Sequence, residues 1–187
     1  MMEPIDALRS QWHTAKIKGK ADEAIVICRS EKSMAIVNYN YTRKGIVKRK
    51  SNIVSGDFLT VDEVNYFCIG RIPTQVKLRE TNCTVDIVRI KKHYTGTKQD
   101  YDYEDPLYSK VTAFYEDITG KMRQYDIGLL DTSTRRFLLP NLSIQKLDRI
   151  KFSGEDMRID AVNTSSYPGL LWVQCSPDVG RPTKVMP

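Results

Sequence analysis

Two stretches of the chain, Ser51–Ile72 and Leu142–Asn163, echo each other closely enough to dictate an architecture. In each, an Ile stands four residues before an Asp (Ile53 and Asp57, Ile144 and Asp148), and the Asp leads into an apolar alternation. A polar turn and a second strand-like run follow in both. Farther on, Cys83 matches Cys175 and Asp86 matches Asp178, which extends the correspondence with a one-residue gap. A repeat at this spacing predicts two similar domains, because solenoid arrays use units of about 20–50 residues and usually three or more copies. The 187 residues then divide into two small domains, each near the lower limit at which a chain buries its own core.

Element patterns make both domains mainly β, as small barrels or sandwiches. Ile5, Leu8, Trp12 and Ala15 recur at helical spacing behind Pro4 and predict a short N-terminal helix. From Ala24 the grammar changes to strands: AIVICR, SMAIVNYNY, GIVKRKSNIV, the Asp57 segment, NYFCIGR and TVDIVRI, all rich in β-branched and aromatic residues. These form the first domain, residues 1–95. The second, residues 96–187, repeats the pattern with VTAFYEDITG, MRQYDIGLL, RRFLLP, DRIKF, MRIDAV and GLLWVQC. Ser153-Gly154 between two of these runs predicts a tight hairpin. The polar, acidic, tyrosine-bearing stretch His93–Lys110 reads as a linker or exposed loop, and the proline-rich end Ser176–Pro187 as an extended arm.

Chemistry-bearing motifs are scarce. Cys28, Cys68, Cys83 and Cys175 show no C-x-x-C spacing, and His13 and His93 are the two histidines, so neither a metal site nor a cofactor is expected. No nucleophile elbow, phosphate-cradling glycine loop or H-E-x-x-H run is present, so no catalytic residue is assigned and the chain is not expected to be an enzyme. Asp57 and Asp148 are read as structural turn anchors, since a carboxylate before a strand caps the N–H groups of the preceding turn. The acids at 100, 102, 104 and 105 lack the glycine and the distal glutamate of a calcium loop. No run of eighteen apolar residues occurs, and the N-terminus lacks a basic region followed by an apolar one, so a cytosolic start without a signal peptide is expected.

Charge is distributed unevenly. Residues 1–95 hold 17 Lys and Arg against 10 acids, whereas residues 96–187 hold 12 against 13, which places the positive excess in the first half. Its densest part is Arg43, Lys44, Lys48, Arg49 and Lys50, just after Tyr41. This run is the expected contact for DNA or an acidic partner, with a lysine-defended strand edge as the structural alternative.

The segment Thr134–Asp178 carries a strand led by Asp148, the turn at Ser153-Gly154, the run MRIDAV and a final apolar strand. In this it resembles the β-barrel core of tailed-bacteriophage head-closure (stopper) proteins and related head–tail connector subunits. The earlier Lys50–Ile72 and Glu80–Ile90 segments look like a degenerate second copy. The resemblance implies a structural, homo-oligomeric ring in the phage neck, between the portal or adaptor and the tail proteins, close to packaged double-stranded DNA and away from membranes. It implies assembly in the bacterial cytoplasm and residence in the virion. A tail or baseplate subunit and a small-barrel nucleic-acid-binding module are the alternatives.

Overall fold

In the computed structural model, residues 12–29, 42–164 and 166–178 are described, and they form two closed β-barrels of six strands each. The first contains β1 (His13–Ile17), β2 (Glu23–Arg29), β3 (Thr42–Val47), β4 (Phe58–Val61), β5 (Val64–Ile72) and β6 (Gln75–Glu80). Around the barrel they run β1-β2-β3-β6-β5-β4, with β4 closing onto β1. The second contains β7 (Cys83–Thr95), β8 (Lys98–Asp117), β9 (Arg135–Pro140), β10 (Arg149–Phe152), β11 (Glu155–Asn163) and β12 (Leu170–Pro177). Its order, β7-β8-β9-β12-β11-β10, is the same topology strand for strand. Each barrel has its own core. Ile17, Ile25, Leu59 and Leu78 belong to one, and Ile87, Phe137, Ile150 and Ile159 to the other. Alternation of inward and outward side chains along each strand is what fills such small interiors.

The repeat holds at the level of backbone geometry, with a constant displacement of 91 positions through its centre (Asp57 to Asp148). β4 and β5 map onto β10 and β11 end for end. Both hairpins turn through two residues of positive φ, Asp62 and Glu63 in the first and Ser153 and Gly154 in the second. Both second strands carry a register shift at the same place, between Cys68 and Gly70 and between Ile159 and Ala161. The downstream pairing suggested by Cys83 and Asp86 is corrected. Pairing places Leu78, opposite Cys68, where Cys175 stands opposite Ile159. Cys83 and Asp86 instead lie on β7, the first strand of the second barrel. The β5–β6 connection is residues 73–74 and its counterpart is residues 164–169, a difference that a one-residue gap cannot span.

Three other expectations change. Trp12 and Ala15 belong to no helix: His13–Ile17 is a strand, with Ala15 and Ile17 buried and Lys16 exposed between them. Helical spacing and strand alternation coincide over so short a run, and ladder bonds to β2 on one side and β4 on the other decide the outcome. Ile5 and Leu8 lie outside the described residues, as do all of SMAIVNYNY and most of the C-terminal arm. The stretch MRQYDIGLL is not a strand. Gly120–Tyr125 forms a helical turn, α1, capped by Thr119, whose side chain accepts from the Met122 N–H. Finally, compact units divide at Asn82/Cys83, not at 95/96, with residues 164–170 counted in the first unit. Position 95/96 falls at the tip of the β7–β8 hairpin, where Thr95 pairs with Lys98, so the presumed linker is strand. No helix among the described residues is long and apolar enough to cross a membrane.

Candidate functional site

Each anchor aspartate grips the turn before its strand. Asp57 Oδ2 accepts the Val54 N–H at 2.8 Å and Asp148 Oδ2 accepts the Gln145 N–H at 2.9 Å. Each also meets a cation from the start of its own barrel. Lys20 reaches Asp57 at 2.7 Å, and Arg89 holds Asp148 with two bonds of 2.7 and 2.8 Å. The Arg89 guanidinium is held above its ordinary range, first by the hydrogen bond to Asp148. Asp148 has both oxygens engaged and Asp57 takes both of its bonds on Oδ2, and in each barrel the carboxylate pins a corner by tying a turn to a cation.

Acids do converge in two open concavities at matching corners. In the first barrel, Trp12, His13, Lys16, Asp62 and Glu63 line about 500 Å³, and His13 Nδ1 lies 2.5 Å from the Asp62 carboxylate. The lining hydroxyls are Thr14 and Thr60, and Thr60 donates its proton to Asn65 at 2.8 Å. In the second barrel, Asp86, Glu155 and Asp156 share about 410 Å³ with Lys110 and Lys151. Asp86 accepts the Lys110 N–H at 2.7 Å, and Glu155 pairs with Arg135 at 2.5 Å. These bonds hold two of the acids in structural roles. A third polar cluster is sealed: Asp160 accepts from Ser133 at 2.9 Å and from Ser176 at 3.0 Å inside the barrel wall. Each hydroxyl is spent donating to this buried carboxylate, which ties both into the wall. No group of three metal-ligating side chains with metal-holding geometry occurs among the described residues.

Burial governs the thiols. Desolvation pushes Cys68 up to about 11 and Cys83 up to about 12, and it raises Cys175 further still. Such thiols carry little thiolate near neutrality and make poor nucleophiles.

An open apolar concavity lies on β3, β5 and β6. Thr42, Lys44, Ile72, Val76 and Lys77, with the backbone at Gly70, enclose about 480 Å³. Its origin is the β5 register shift, which brings Gly70 opposite Lys77. A Cβ added at Gly70 would meet nothing nearer than Lys77 Cβ at 3.9 Å, so the missing side chain is part of the opening. Ile72, 58% exposed, forms one wall. Lys44 and Lys77 stand directly opposite each other across β3 and β6. Neither has an ion-pair partner among the described residues. Like charges so placed oppose strand pairing, and a bound anion would relieve them.

The basic run predicted from sequence therefore splits. Arg43 is paired with Glu80 at 3.1 Å, while Lys44 faces the concavity. Lys48, Arg49 and Lys50 lie exposed beyond the end of β3, in and beside a turn. Arg71 supports that turn from below by donating to the carbonyls of Ser51 at 2.5 Å, Ile53, and Arg49 at 3.4 Å. Arg71 and Lys77 escape a reading that looks for runs, because strand pairing and not sequence proximity brings them to Lys44. The isolated Gly70 inside an apolar strand is the one signal that marks the place. Compared with known proteins, the chain matches no protein-family model, and no curated protein matches its sequence.

Proposed function

We propose that this protein is a structural subunit of a tailed-bacteriophage neck, forming a ring that joins the portal or adaptor to the tail and helps retain packaged DNA. The observation that carries the reading is the β7–β8 hairpin. Within the second barrel, β7 pairs with β10 through Asp86–Val88 and β8 pairs with β9 through Phe114–Asp117. From Ile90 to Glu104 the two strands pair with each other, making a ribbon that continues past the barrel ladders. A ribbon of this length is a reach toward another chain, since an isolated hairpin is marginal in water. The likeness of Thr134–Asp178 to head-closure barrels supports the same reading, because that segment supplies β9 to β12. Two barrels per subunit suit a ring of repeated heterologous contacts closed by rotation. Mixing the purified protein with its portal complex is expected to give a ring-bearing assembly by light scattering and negative-stain imaging. A mixture whose components elute separately at every ratio sinks the proposal.

A nucleic-acid-binding barrel is favoured by one observation, the cations at Lys44, Lys48, Arg49, Lys50 and Lys77, which have no ion-pair partner among the described residues. It predicts binding to double-stranded DNA that weakens steeply as salt rises.

A further inference from the structure

Two groups of cations flank the opening at Gly70, and the fold fixes both to the β5–β6 hairpin. Lys44 and Lys77 are direct neighbours across the β3–β6 ladder, and both point away from the core, since Gly45, Val76 and Leu78 beside them are buried. Lys48, Arg49 and Lys50 form the second group, on a turn closed by the Ser51 N–H donating to the Lys48 carbonyl at 2.9 Å. Val47, which leads into that turn, donates its N–H to the Thr74 carbonyl at 3.0 Å. Arg71 lines the opening and reaches under the turn to the carbonyls of Arg49, Ser51 and Ile53. The acids nearby are engaged: Glu80 with Arg43 at 3.1 Å, and Glu23 with the Asn52 N–H at 2.6 Å. Four residues of extended chain separate Lys44 from Lys48, about 13 Å at roughly 3.3 Å per residue. Over that length a DNA duplex carries about four phosphates on each strand, one per roughly 3.4 Å. Its deoxyribose rings offer an apolar face to the exposed Ile72, and the missing side chain at Gly70 lets a second backbone come close. A single strand needs rings on which to stack its bases, and none of the described residues lining the opening is aromatic. An acidic protein segment supplies charge, but ordering it costs about 1–2 kcal/mol per residue, which a duplex avoids by being rigid already.

We propose that the outer face of β3 and β6, with the turn at residues 48–51, binds the phosphodiester backbone of double-stranded DNA without reading its sequence. Lys44 and Lys77 hold phosphate oxygens beside the opening, and Lys48, Arg49 and Lys50 hold those farther along. Arg71 is a positioning residue that sets the turn. Arg43 takes no part, because Glu80 already neutralises it. The inference rests on the nucleic-acid reading and names its surface and the form of DNA it takes.

Fluorescence anisotropy of a labelled duplex of roughly 20 base pairs, titrated with the full chain from about 50 to 200 mM salt, tests it. Wild-type affinity is expected to fall with a slope of about −4.5 in log K against log salt, five contacts at about −0.9 each. Two unrelated sequences should agree within about twofold, since phosphate contacts carry no sequence information. Lys44→Gln with Lys77→Gln is expected to lose at least about tenfold at the lowest salt and to flatten the slope by about 2. Lys121→Gln with Lys146→Gln removes the same charge from exposed positions elsewhere and is expected to stay within about twofold of wild type. Circular dichroism matching the wild type confirms that both variants stay folded. Arg71→Lys keeps the charge but not the span over three carbonyls, so binding about fivefold weaker at an unchanged slope is expected. Wild-type affinity in that variant removes Arg71 from the surface. An equal loss in the Lys121 and Lys146 variant, or a single strand of the same sequence that binds as tightly, overturns the proposal. So does polyglutamate that displaces the duplex at equal charge concentration, which makes the surface a site for an acidic protein. Wild-type protein that ignores the duplex at the lowest salt removes the nucleic-acid reading as well. Steep binding that survives the loss of Lys44 and Lys77 keeps that reading and overturns this surface alone.

Discussion

At the scale of single residues, the duplicated aspartates have diverged in how much depends on them. Asp148 is 2% exposed and takes two bonds from Arg89, whereas Asp57 keeps 12% exposure and a single lysine. Removing a charged acceptor from buried donors costs about 1–3 kcal/mol, and the more buried site stands at the upper end. Asp148→Ala is expected to lower stability by about 2–3 kcal/mol and Asp57→Ala by about 1 kcal/mol in urea titrations. Equal losses would show that exposure does not govern the difference. The buried thiols give a second prediction. Burial lifts Cys68 from its ordinary 9.0 to about 11 and Cys83 to about 12. Folded protein therefore holds these protons more tightly than unfolded chain does. Their contribution is intact below pH 9 and is lost as pH rises toward 11, at up to about 1.4 kcal/mol per pH unit for each thiol. Cys68→Ala, whatever its own cost, is expected to flatten this alkaline decline between pH 9 and 10.5, and an unchanged slope removes the assignment.

Among elements, the hairpins show why part of the fold was readable in sequence and part was not. Ser153-Gly154 announces its turn because glycine takes positive φ freely, and the turn is there, at φ 52° and 82°. Asp62-Glu63 makes the same turn at φ 48° and 66° with no such label. A residue other than glycine in the left-handed region costs about 1–2 kcal/mol, which is offset in part by the extra freedom of an unfolded glycine. Glu63→Gly is accordingly expected to raise stability by about 0.5–1 kcal/mol. The repeat supplies a parallel case. Gly56 has φ 96°, and its counterpart Leu147 has φ 76° with 60% of its surface exposed. Leu147→Gly is expected to raise the thermal midpoint, while Gly56→Leu lowers it, and the opposite pair of signs would refute the equivalence. β10, β11 and β12 were legible because each carries an apolar run or alternation bounded by turn residues. β1 and β6 were not, since QVKLRE and HTAKI alternate with charged side chains and look like surface until a barrel closes around them. The groove depended on β6, so its Lys77 was invisible for the same reason.

For the whole molecule, the duplication was legible through one corner alone, the Ile-to-Asp spacing, while barrel closure and equivalent topology are long-range pairings that no local pattern carries. The divergence of the copies explains the rest. Among residues 1–82 there are 14 Lys and Arg against 9 acids, so most of the net charge of +6 belongs to the first unit. One copy has specialised toward a basic surface and the other has extended its first two strands into a long ribbon. Their cores share no residue: the first cluster ends at Leu78 and the second begins at Val85. Separate cores predict separate cooperative units, because opening free energies follow contiguous packed sets of side chains. Phe137, fully buried and in ring contact with Tyr115 and Phe152, is the place to test this. Phe137→Ala deletes most of a large aromatic side chain and is expected to cost the second barrel about 3–5 kcal/mol. Amide exchange should then accelerate 100-fold or more in β7 to β12 and change by less than about threefold in β1 to β6, where a 1.4 kcal/mol change corresponds to tenfold. Uniform acceleration across all twelve strands would mean that the two barrels unfold as one body.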